Sequence, residues 1–251
     1  MEGDSLIPFT ALIHGGPGAG KSWLVDTMPA PRLILDAEGR AHYLPSRKVW
    51  WDPTREAPPV HDGTWDTCVV TCASTAVATQ TFTWLRSGQH PFVSLGVDSI
   101  MEMQKRTVDE IAGLNPMRER DWGTLLRQLE RMIRDFRDLT LVPATGVRVV
   151  VFTVGTREQN GKYEPLLQGQ LRDTVPYYLD VTGYLYVTPD PETGAETRNL
   201  LIRPQPNYIA ADHTGGRLPG PIISNPRIDG IVELLSQHTQ SSTTEGGTQV
   251  G

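Results

Sequence analysis

The segment Gly15-Gly16-Pro17-Gly18-Ala19-Gly20-Lys21-Ser22 decides the fold class of this 251-residue chain. It matches the pattern G-x-x-x-x-G-K-[ST], which is typical of a phosphate-binding loop, or P-loop. The glycines let backbone N–H groups point at phosphate oxygens, and the helix that follows adds its positive N-terminal end. We expect this segment and the next residue, Trp23, to bind a triphosphate, with Lys21 on the β- and γ-phosphates and the Ser22 hydroxyl on Mg²⁺.

The surroundings of the loop support this interpretation. An apolar, β-prone run at residues 9–14 precedes it, and a helix is predicted to begin near Lys21 and to end by Pro29 and Pro31. Farther along, predicted strands at 32–36, 67–72, 92–97 and 147–154 alternate with predicted helices at 75–87, 100–113 and 121–139. This alternation predicts an α/β fold, with a mostly parallel sheet covered by helices on both faces.

The C-terminal part of the chain follows a different pattern. Residues 182–188 and 197–203 are predicted to form a hairpin, which would add an antiparallel extension to one edge of the sheet. A short helix near 227–237 is predicted to end a single domain over residues 1–237. Residues 238–251, rich in Ser, Thr and Gly, are predicted to be a disordered tail. Residues 45–66, rich in Pro, Trp and Asp, are predicted to be irregular.

The predicted helix at 121–139 carries an apolar stripe. Leucine, methionine and phenylalanine recur along it at spacings of four and three residues, which is typical of an amphipathic helix with one buried face. The predicted buried residues are Leu125, Leu129, Met132, Phe136 and Leu139.

Composition narrows the class of protein. Hydrophobic residues make up 38% and charged residues 21%, which is typical of a globular protein. No apolar run is long enough to cross a membrane, and the N-terminus lacks the basic region of a signal peptide, so we expect a cytoplasmic protein. Cys68 and Cys72 are predicted to be core residues. The net charge of −6 means that any contact with nucleic acid must use a local patch.

Two acidic residues are candidates for the chemistry of the site. Asp98 ends the apolar run FVSLGVD, where a carboxylate on the magnesium side of a P-loop is expected. The alternative for Asp98 is an N-cap of the helix from Ile100. Glu38, in LILDAEG, follows the strand after the P-loop helix and is our candidate base that orients water. Asp36 is the next candidate base, and a solvated loop acid is the alternative for Glu38.

The order of these motifs along the chain resembles that of a known family. LILDAEGRAHYLP resembles the RecA-type segment in which a strand ends in Asp-Ala-Glu, and FVSLGVDSI resembles the RecA Walker B strand. With Asp121-Trp122-Gly123 and the later VP…D…GYLY, residues 9–235 are similar to compact phage ATPases of the single-strand-annealing class. The resemblance implies ATP and Mg²⁺ as cofactors. It also implies a homo-oligomer, either a ring or a filament, that binds single-stranded DNA in recombination or annealing, with a single-strand-binding protein as a candidate partner.

The chain departs from the RecA pattern at two points. RecA-type proteins present Gln or His as a γ-phosphate sensor after Walker B, whereas VFTVGTRE offers Gly155, with Thr153 and Thr156 nearby. Relatives also carry a Lys-x-Arg segment that acts on the neighbouring subunit's nucleotide. The Lys is absent here, and Arg203 or Arg217 is the candidate substitute. We therefore expect hydrolysis that is slow or dependent on DNA.

By the same resemblance, DNA is expected at the loops 113–121 and 156–174. These loops contain Gly or Pro and are predicted to be mobile. Acidic residues in both loops dilute their positive charge, so a solvated surface is the alternative. The predicted DNA-binding residues are Arg118, Arg120, Arg157, Lys162 and Tyr163, whose ring is the candidate for stacking on a base.

Two other functions compete with this hypothesis. A small-molecule kinase also uses a P-loop, but it needs an Arg-rich lid that the sequence does not show. A nucleotide-dependent scaffold with little hydrolysis would account for the missing sensor and Lys. Phosphate release, measured with and without single-stranded DNA, distinguishes the three.

Overall fold

A computed structural model describes residues 6–244, with side chains described through residue 238. The strands are β1 (Phe9–Gly15), β2 (Arg32–Asp36), β3 (Lys48–Trp50), β4 (Thr67–Thr71), β5 (Ser94–Asp98), β6 (Val149–Gln159), β7 (Lys162–Pro165), β8 (Val181–Pro189), β9 (Glu196–Leu201), β10 (Ala211–Asp212) and β11 (Ile222–Ser224). The helices are α1 (Lys21–Val25), α2 (Thr75–Ser87), α3 (Ile100–Ala112), α4 (Glu119–Asp138), α5 (Leu171–Thr174) and α6 (Ile228–Thr244).

The strands form one sheet in the order β11-β9-β8-β1-β6-β5-β2-β4-β3. From β8 to β3 the neighbouring strands are parallel, whereas β9 and β11 add an antiparallel edge. This confirms the predicted α/β fold and its C-terminal hairpin. Strand β6 lies between β1 and β5, so the P-loop and Asp98 follow strands that are separated by one strand.

Both faces of the sheet are buried, as the apolar strands predicted. Successive side chains of a strand point to opposite faces. Leu12 of β1 and Phe152 of β6 therefore join the core with α2, α3 and α4, while Ile13 and Val151 join the core with α1 and α6. Cys68 and Cys72 are free and buried, as predicted.

Several predicted boundaries require correction. Residues 45–66 are not wholly irregular, because they contain the edge strand β3. The buried stripe of α4 includes Ile133, whereas Met132 is only partly buried, because the packed face is turned toward Ile133. Helix α6 continues through Thr244 rather than ending at 237. Residues 245–251 of the predicted tail lie outside the described residues.

The largest correction concerns residues 156–174, which were predicted to be a mobile loop. Strand β6 continues to Gln159 and turns back at Asn160 and Gly161 into β7. The turn forms readily because both residues have positive φ, which Asn and Gly tolerate. The segment is therefore an ordered hairpin, and it ends in the short helix α5.

Candidate nucleotide site

The P-loop joins β1 to the short helix α1. Gly20, directly before α1, has φ of 94°, a left-handed conformation that favours glycine. Gly15, at the other end of the loop, approaches strand β8 so closely that an added Cβ would lie 2.5 Å from the carbonyl oxygen of Leu185. The two glycines of the motif are therefore required by a backbone conformation and by a close approach, respectively.

Lys21 lies over the loop that precedes it. Its Nζ donates to the carbonyl oxygens of Gly15 at 2.9 Å and Gly16 at 3.0 Å. Burial lowers the pKa of Lys21 from its usual value, while the negative charges of Asp98 and Glu38 act in the opposite direction. The lysine charge is therefore held where the P-loop, Asp98 and Glu38 meet.

A cavity of about 430 Å³ opens at this point. Its size falls within the usual range for ligand pockets. It brings together side chains from the P-loop, from the loop after β2, from the end of β5 and from β6. The lining includes Gly15, Pro17, Gly18, Gly20, Lys21, Ser22, Trp23, Glu38, Arg40, Tyr43, Asp98 and Thr156. Two further P-loop residues, Gly16 and Ala19, belong to the loop that frames the cavity.

Asp98 is buried at the base of the site. Its carboxylate accepts hydrogen bonds from the hydroxyls of Ser22 and Thr153. Burial raises the pKa of Asp98 above its usual value, and those two hydrogen bonds oppose the shift. The alternative of a helix N-cap is wrong, because Ser99 occupies the N-cap of α3 and the Asp98 side chain turns to Ser22 and Thr153.

Ser22 and Asp98 fit a bound Mg²⁺. The two groups are hydrogen-bonded neighbours, and both offer the oxygen ligands that Mg²⁺ prefers. Within residues 6–238, no cluster of three or more His, Cys, Asp or Glu side chains is arranged to hold a metal. At phosphate sites, Mg²⁺ usually has few protein ligands and takes the others from phosphates and water.

Glu38 is held at the rim of the cavity. Its Oε1 accepts a hydrogen bond from the Ser99 hydroxyl at 2.6 Å, and its Oε2 lies 3.7 Å from Nε of Arg40. The preceding residue is anchored as well: the Ala37 N–H donates to the Asp98 carbonyl oxygen at 2.8 Å. Arg106 of α3 donates to the Ala37 carbonyl oxygen at 2.8 Å. Glu38 is thus both oriented and partly open to solvent.

The same loop engages Asp36, the other candidate base, through its backbone. Its two carboxylate oxygens accept the backbone N–H groups of Gly39, Arg40 and Ala41 at 2.8, 3.2 and 2.8 Å. The Asp36 side chain is also buried. Asp36 therefore shapes the loop that presents Glu38, and its engaged, buried carboxylate favours Glu38 over Asp36 as the candidate base.

Sequence reasoning missed His14, which lies behind the cavity wall and holds one of its residues, Thr156. Its Nε2–H donates to the Ile209 carbonyl oxygen at 2.7 Å, so its Nδ1 accepts the hydroxyl proton of Thr156 at 2.8 Å. Burial lowers the pKa of His14 to about 4. The imidazole is therefore neutral at pH 7 and positions Thr156 on the cavity wall. A histidine within an otherwise apolar strand was the available signal.

Arg198 was also missed. It lies on β9, more than 170 residues from the P-loop in sequence, yet its guanidinium lies 5.5 Å from the centre of the Trp23 ring. No local motif marks this residue, because only the pairing of β9 with β8 and of β8 with β1 brings it to the loop.

The predicted DNA-binding residues fall into two places. Arg118 and Arg120 lie at the start of α4, and Arg120 lies 3.6 Å from Asp121. Arg157, Lys162 and Tyr163 lie on the β6–β7 hairpin. Arg157 pairs with Glu164 at 2.7 Å, and Arg172 contacts the same carboxylate at 3.3 Å. Much of the positive charge of the hairpin is therefore neutralised within it.

Tyr163 belongs to a cluster of four tyrosines. Its ring stacks on Tyr208 at 4.9 Å, and Tyr208 contacts Tyr184, which stacks on Tyr186. Tyr184 also contacts the ring of His14 at 5.2 Å. All four tyrosines are partly exposed. The tyrosine cluster thus presents aromatic surface and connects to the nucleotide cavity through His14 and Thr156.

Neither candidate for the trans position lines the cavity of its own chain. Arg203 lies 3.9 Å from Asp212 and donates to the Leu218 carbonyl oxygen at 3.1 Å. Arg217 is exposed.

The P-loop, the buried Asp98 and the strand order define the chain as a P-loop nucleoside triphosphatase domain. The family model described as "AAA domain" matches residues 7–214, and the chain therefore belongs to this family. A domain of this family is of the nucleotide-binding, ATPase type. The search among curated proteins found no match. Over the residues that the structure describes, no helix has the length and apolar character needed to cross a membrane.

Proposed function

We propose that the chain binds ATP with Mg²⁺ and hydrolyses it, with Glu38 activating the attacking water. The observation that carries this proposal is the position of Glu38. It lines the same cavity as Lys21 and Asp98, and Ser99 orients its carboxylate. An oriented, partly exposed carboxylate next to a phosphate loop is suited to accept a proton from water.

The residues have separate roles in this proposal. The P-loop backbone and Lys21 hold the phosphates and stabilise the charge that develops during transfer. Ser22 and Asp98 would hold Mg²⁺, which when bound neutralises charge on the β- and γ-phosphates. Glu38 orients a water molecule and takes its proton as the water oxygen attacks the γ-phosphorus, and ADP leaves. Thr156, fixed by His14, lines the cavity where RecA-type proteins place a Gln or His sensor.

The chain is proposed to act as a homo-oligomer, a ring or a filament. The cavity is bordered by Tyr43, which is 86% exposed, and by the exposed Arg40. A neighbouring subunit could cover these side chains and shield the γ-phosphate from bulk water. Arg217 is the stronger trans candidate, because Arg203 is engaged by Asp212 and Leu218.

Single-stranded DNA, in recombination or annealing, is the proposed target of the nucleotide-bound state. Two features support this second step. The tyrosine cluster offers rings on which bases can stack without sequence preference. The contacts from Tyr184 to His14 and from His14 to Thr156 connect that cluster to the nucleotide cavity. A single-strand-binding protein is a proposed partner in this process.

Phosphate release from Mg-ATP, measured with and without single-stranded DNA, tests the proposal. Hydrolysis that DNA accelerates would support both steps. Hydrolysis without any DNA binding would support the ATPase activity and contradict the proposed DNA target. ATP binding without phosphate release would favour the scaffold, and transfer of phosphate to a small acceptor would favour the kinase. Light scattering with both ligands tests assembly, and a monomer under all conditions would contradict the oligomer.

A further inference from the structure

A second cavity adjoins the phosphate cavity. It measures about 200 Å³ and lies between α1 and the antiparallel edge of the sheet. The two cavities share Gly20 and Trp23 as lining residues. The second cavity, here called the edge groove, is lined by Gly20, Trp23, Leu24, Thr27, Leu185, Arg198, Asn225, Pro226 and Arg227.

Trp23 forms one wall of the edge groove. It comes two residues after Lys21, at the start of α1, and it is 50% exposed. Its neighbours Leu24 and Val25 are buried, so the indole is the large side chain of α1 that faces outward. An indole held at the junction of two cavities offers a flat face on which an aromatic ligand can stack.

Arg198 forms the opposite wall. Its guanidinium lies 5.5 Å from the centre of the Trp23 ring, and its Nε is buried with no hydrogen-bond partner among the described residues. A Cβ on Gly20 would lie 2.6 Å from that Nε, so the motif glycine leaves room for the arginine. A partly desolvated guanidinium in such a groove favours a ligand that accepts hydrogen bonds.

The backbone beyond Arg198 is ordered. The Asn225 N–H donates to the Arg198 carbonyl oxygen at 2.7 Å, and Asn225 adopts φ of 48°, a turn conformation that Asn tolerates. Arg227, the other cation of the groove, is paired with Asp229 at 3.0 Å. Arg198 is therefore the cation of the groove that is left to contact a ligand.

We infer that the edge groove binds the purine base of the nucleotide, with Trp23 stacking on the base and Arg198 donating to its acceptor atoms. The inference rests on the proposed function, because it concerns the same nucleotide. A triphosphate whose β- and γ-phosphates lie at Lys21 must extend its nucleoside out of the phosphate cavity. The edge groove continues that cavity at Gly20 and Trp23. Purines are favoured over pyrimidines because their two fused rings cover more of the indole face.

Binding measurements with Mg²⁺ present test the inference, using ATP, GTP, CTP, UTP and inorganic tripolyphosphate as ligands. The tripolyphosphate separates a base site from a further phosphate site. The test variants are Trp23→Ala, Trp23→Phe and Arg198→Gln. Trp50→Ala is a matched control, because Trp50 is 45% exposed on β3 at the far edge of the sheet. Arg86→Gln, at the exposed end of α2, is the control for arginine.

The parent is expected to bind ATP and GTP more tightly than CTP, UTP and tripolyphosphate. Trp23→Ala should weaken purine nucleotides about 10-fold, within the range for loss of one base stack, and should change tripolyphosphate affinity less than about 2-fold. Arg198→Gln should weaken the same nucleotides. Trp23→Phe should retain most of the purine preference, which also shows that position 23 tolerates substitution. Both control variants should bind like the parent.

Two results would overturn the inference. One is a parent that binds tripolyphosphate as tightly as ATP. The other is an equal loss of ATP and tripolyphosphate affinity in Arg198→Gln, since that would make the arginine a phosphate ligand. Each leaves the proposed ATPase intact. A parent that binds none of these ligands would instead overturn the proposed function, and the inference with it.

Discussion

The nucleotide cavity and the β6–β7 hairpin handle charge in opposite ways. At the cavity, Lys21, Asp98 and Glu38 are held separately by backbone and hydroxyl groups, and all three face one space. At the hairpin, Arg157 of β6 and Arg172 of α5 share the carboxylate of Glu164 on β7. The cavity keeps its charges available for a ligand, whereas the hairpin neutralises most of its own.

Because of this difference, the two regions are suited to different ligands. Charge at the cavity is suited to phosphate binding and to chemistry on phosphates. The hairpin retains aromatic surface in the tyrosine cluster, together with the exposed Lys162, whose charge acts on Glu164 without a salt bridge to it among residues 6–238. Any contact with DNA at the hairpin should therefore depend more on stacking than on charge.

The largest difference between the two regions is expected when the lysine of each one is replaced by alanine. Lys21→Ala should abolish turnover and weaken ATP binding strongly, because the proposed function assigns the Lys21 charge to the β- and γ-phosphates. Lys162→Ala should leave both unchanged. Nucleotide titration and phosphate release measure the effects, and thermal melts should show that both variants fold. ATP affinity that survives in Lys21→Ala would show that the phosphates bind elsewhere.

The second prediction separates the two acids of the loop after β2. Glu38→Gln should lower hydrolysis about 100-fold or more while ATP still binds, because an amide cannot act as the base. Asp36→Asn should instead destabilise the fold by about 1–3 kcal/mol, because one amide cannot accept all three backbone N–H groups. Paired turnover and urea-unfolding measurements test this. A stable Asp36→Asn variant with no turnover would return the role of base to Asp36.

The third prediction concerns pH and His14, the residue that connects the two regions. Its pKa is about 4 in the folded chain and near 6.5 when unfolded, so the unfolded chain binds more protons between these values. The stability present above pH 6.5 is therefore lost as pH falls toward 4. Between pH 7 and 5, the free energy of unfolding should fall by about 2 kcal/mol more in the parent than in His14→Gln.

Urea unfolding at several pH values measures that difference. The contributions of other titrating groups cancel when the parent is compared with His14→Gln. One such group is His90, whose pKa is also lowered by burial. Equal pH slopes in the parent and His14→Gln would mean that His14 titrates normally in the folded chain.

The smallest expected effects concern DNA at the hairpin. Tyr163→Ala should weaken single-stranded DNA binding by about 1 kcal/mol, the low end for a base stack, because Tyr208 already covers one face of the ring. With Arg157 paired to Glu164, about three of the predicted cations remain. They are Lys162 on the hairpin, Arg118 at the start of α4, and the neighbouring Arg120, whose contact with Asp121 at 3.6 Å is too exposed to neutralise it. The slope of log affinity against log salt should then be about −2.

Fluorescence anisotropy on labelled oligonucleotides across a salt series measures both quantities. Tyr163→Phe is the matched control and should bind like the parent. A slope steeper than about −4 would mean that charge dominates at this surface, and that the neutralisation seen at Glu164 does not persist with DNA.

The sequence by itself determined the features that depend on local order. The P-loop is a continuous motif between a strand and a helix, so its pattern alone was enough to identify Gly15, Gly20, Lys21 and Ser22. Alternating apolar runs predicted the parallel sheet, because strands buried on both faces need continuous apolar residues. Asp98 was found because it ends such a run, and Glu38 because it comes two residues after the end of another. In the structure both lie at the same end of the sheet as the P-loop.

Only the tertiary structure decided which hydrogen-bond and ion-pair partners the polar side chains have. Sequence favoured Glu38 over Asp36 as the base, but only the folded loop shows that three backbone N–H groups engage Asp36 and leave Glu38 at the rim of the cavity. Arg157 looked available for DNA until hairpin pairing placed it against Glu164. Arg198 and His14 acquired their positions from strand pairings that span most of the chain. These contacts are non-local, so no spacing along the sequence encodes them, and burial and hydrogen bonding in the folded state select them.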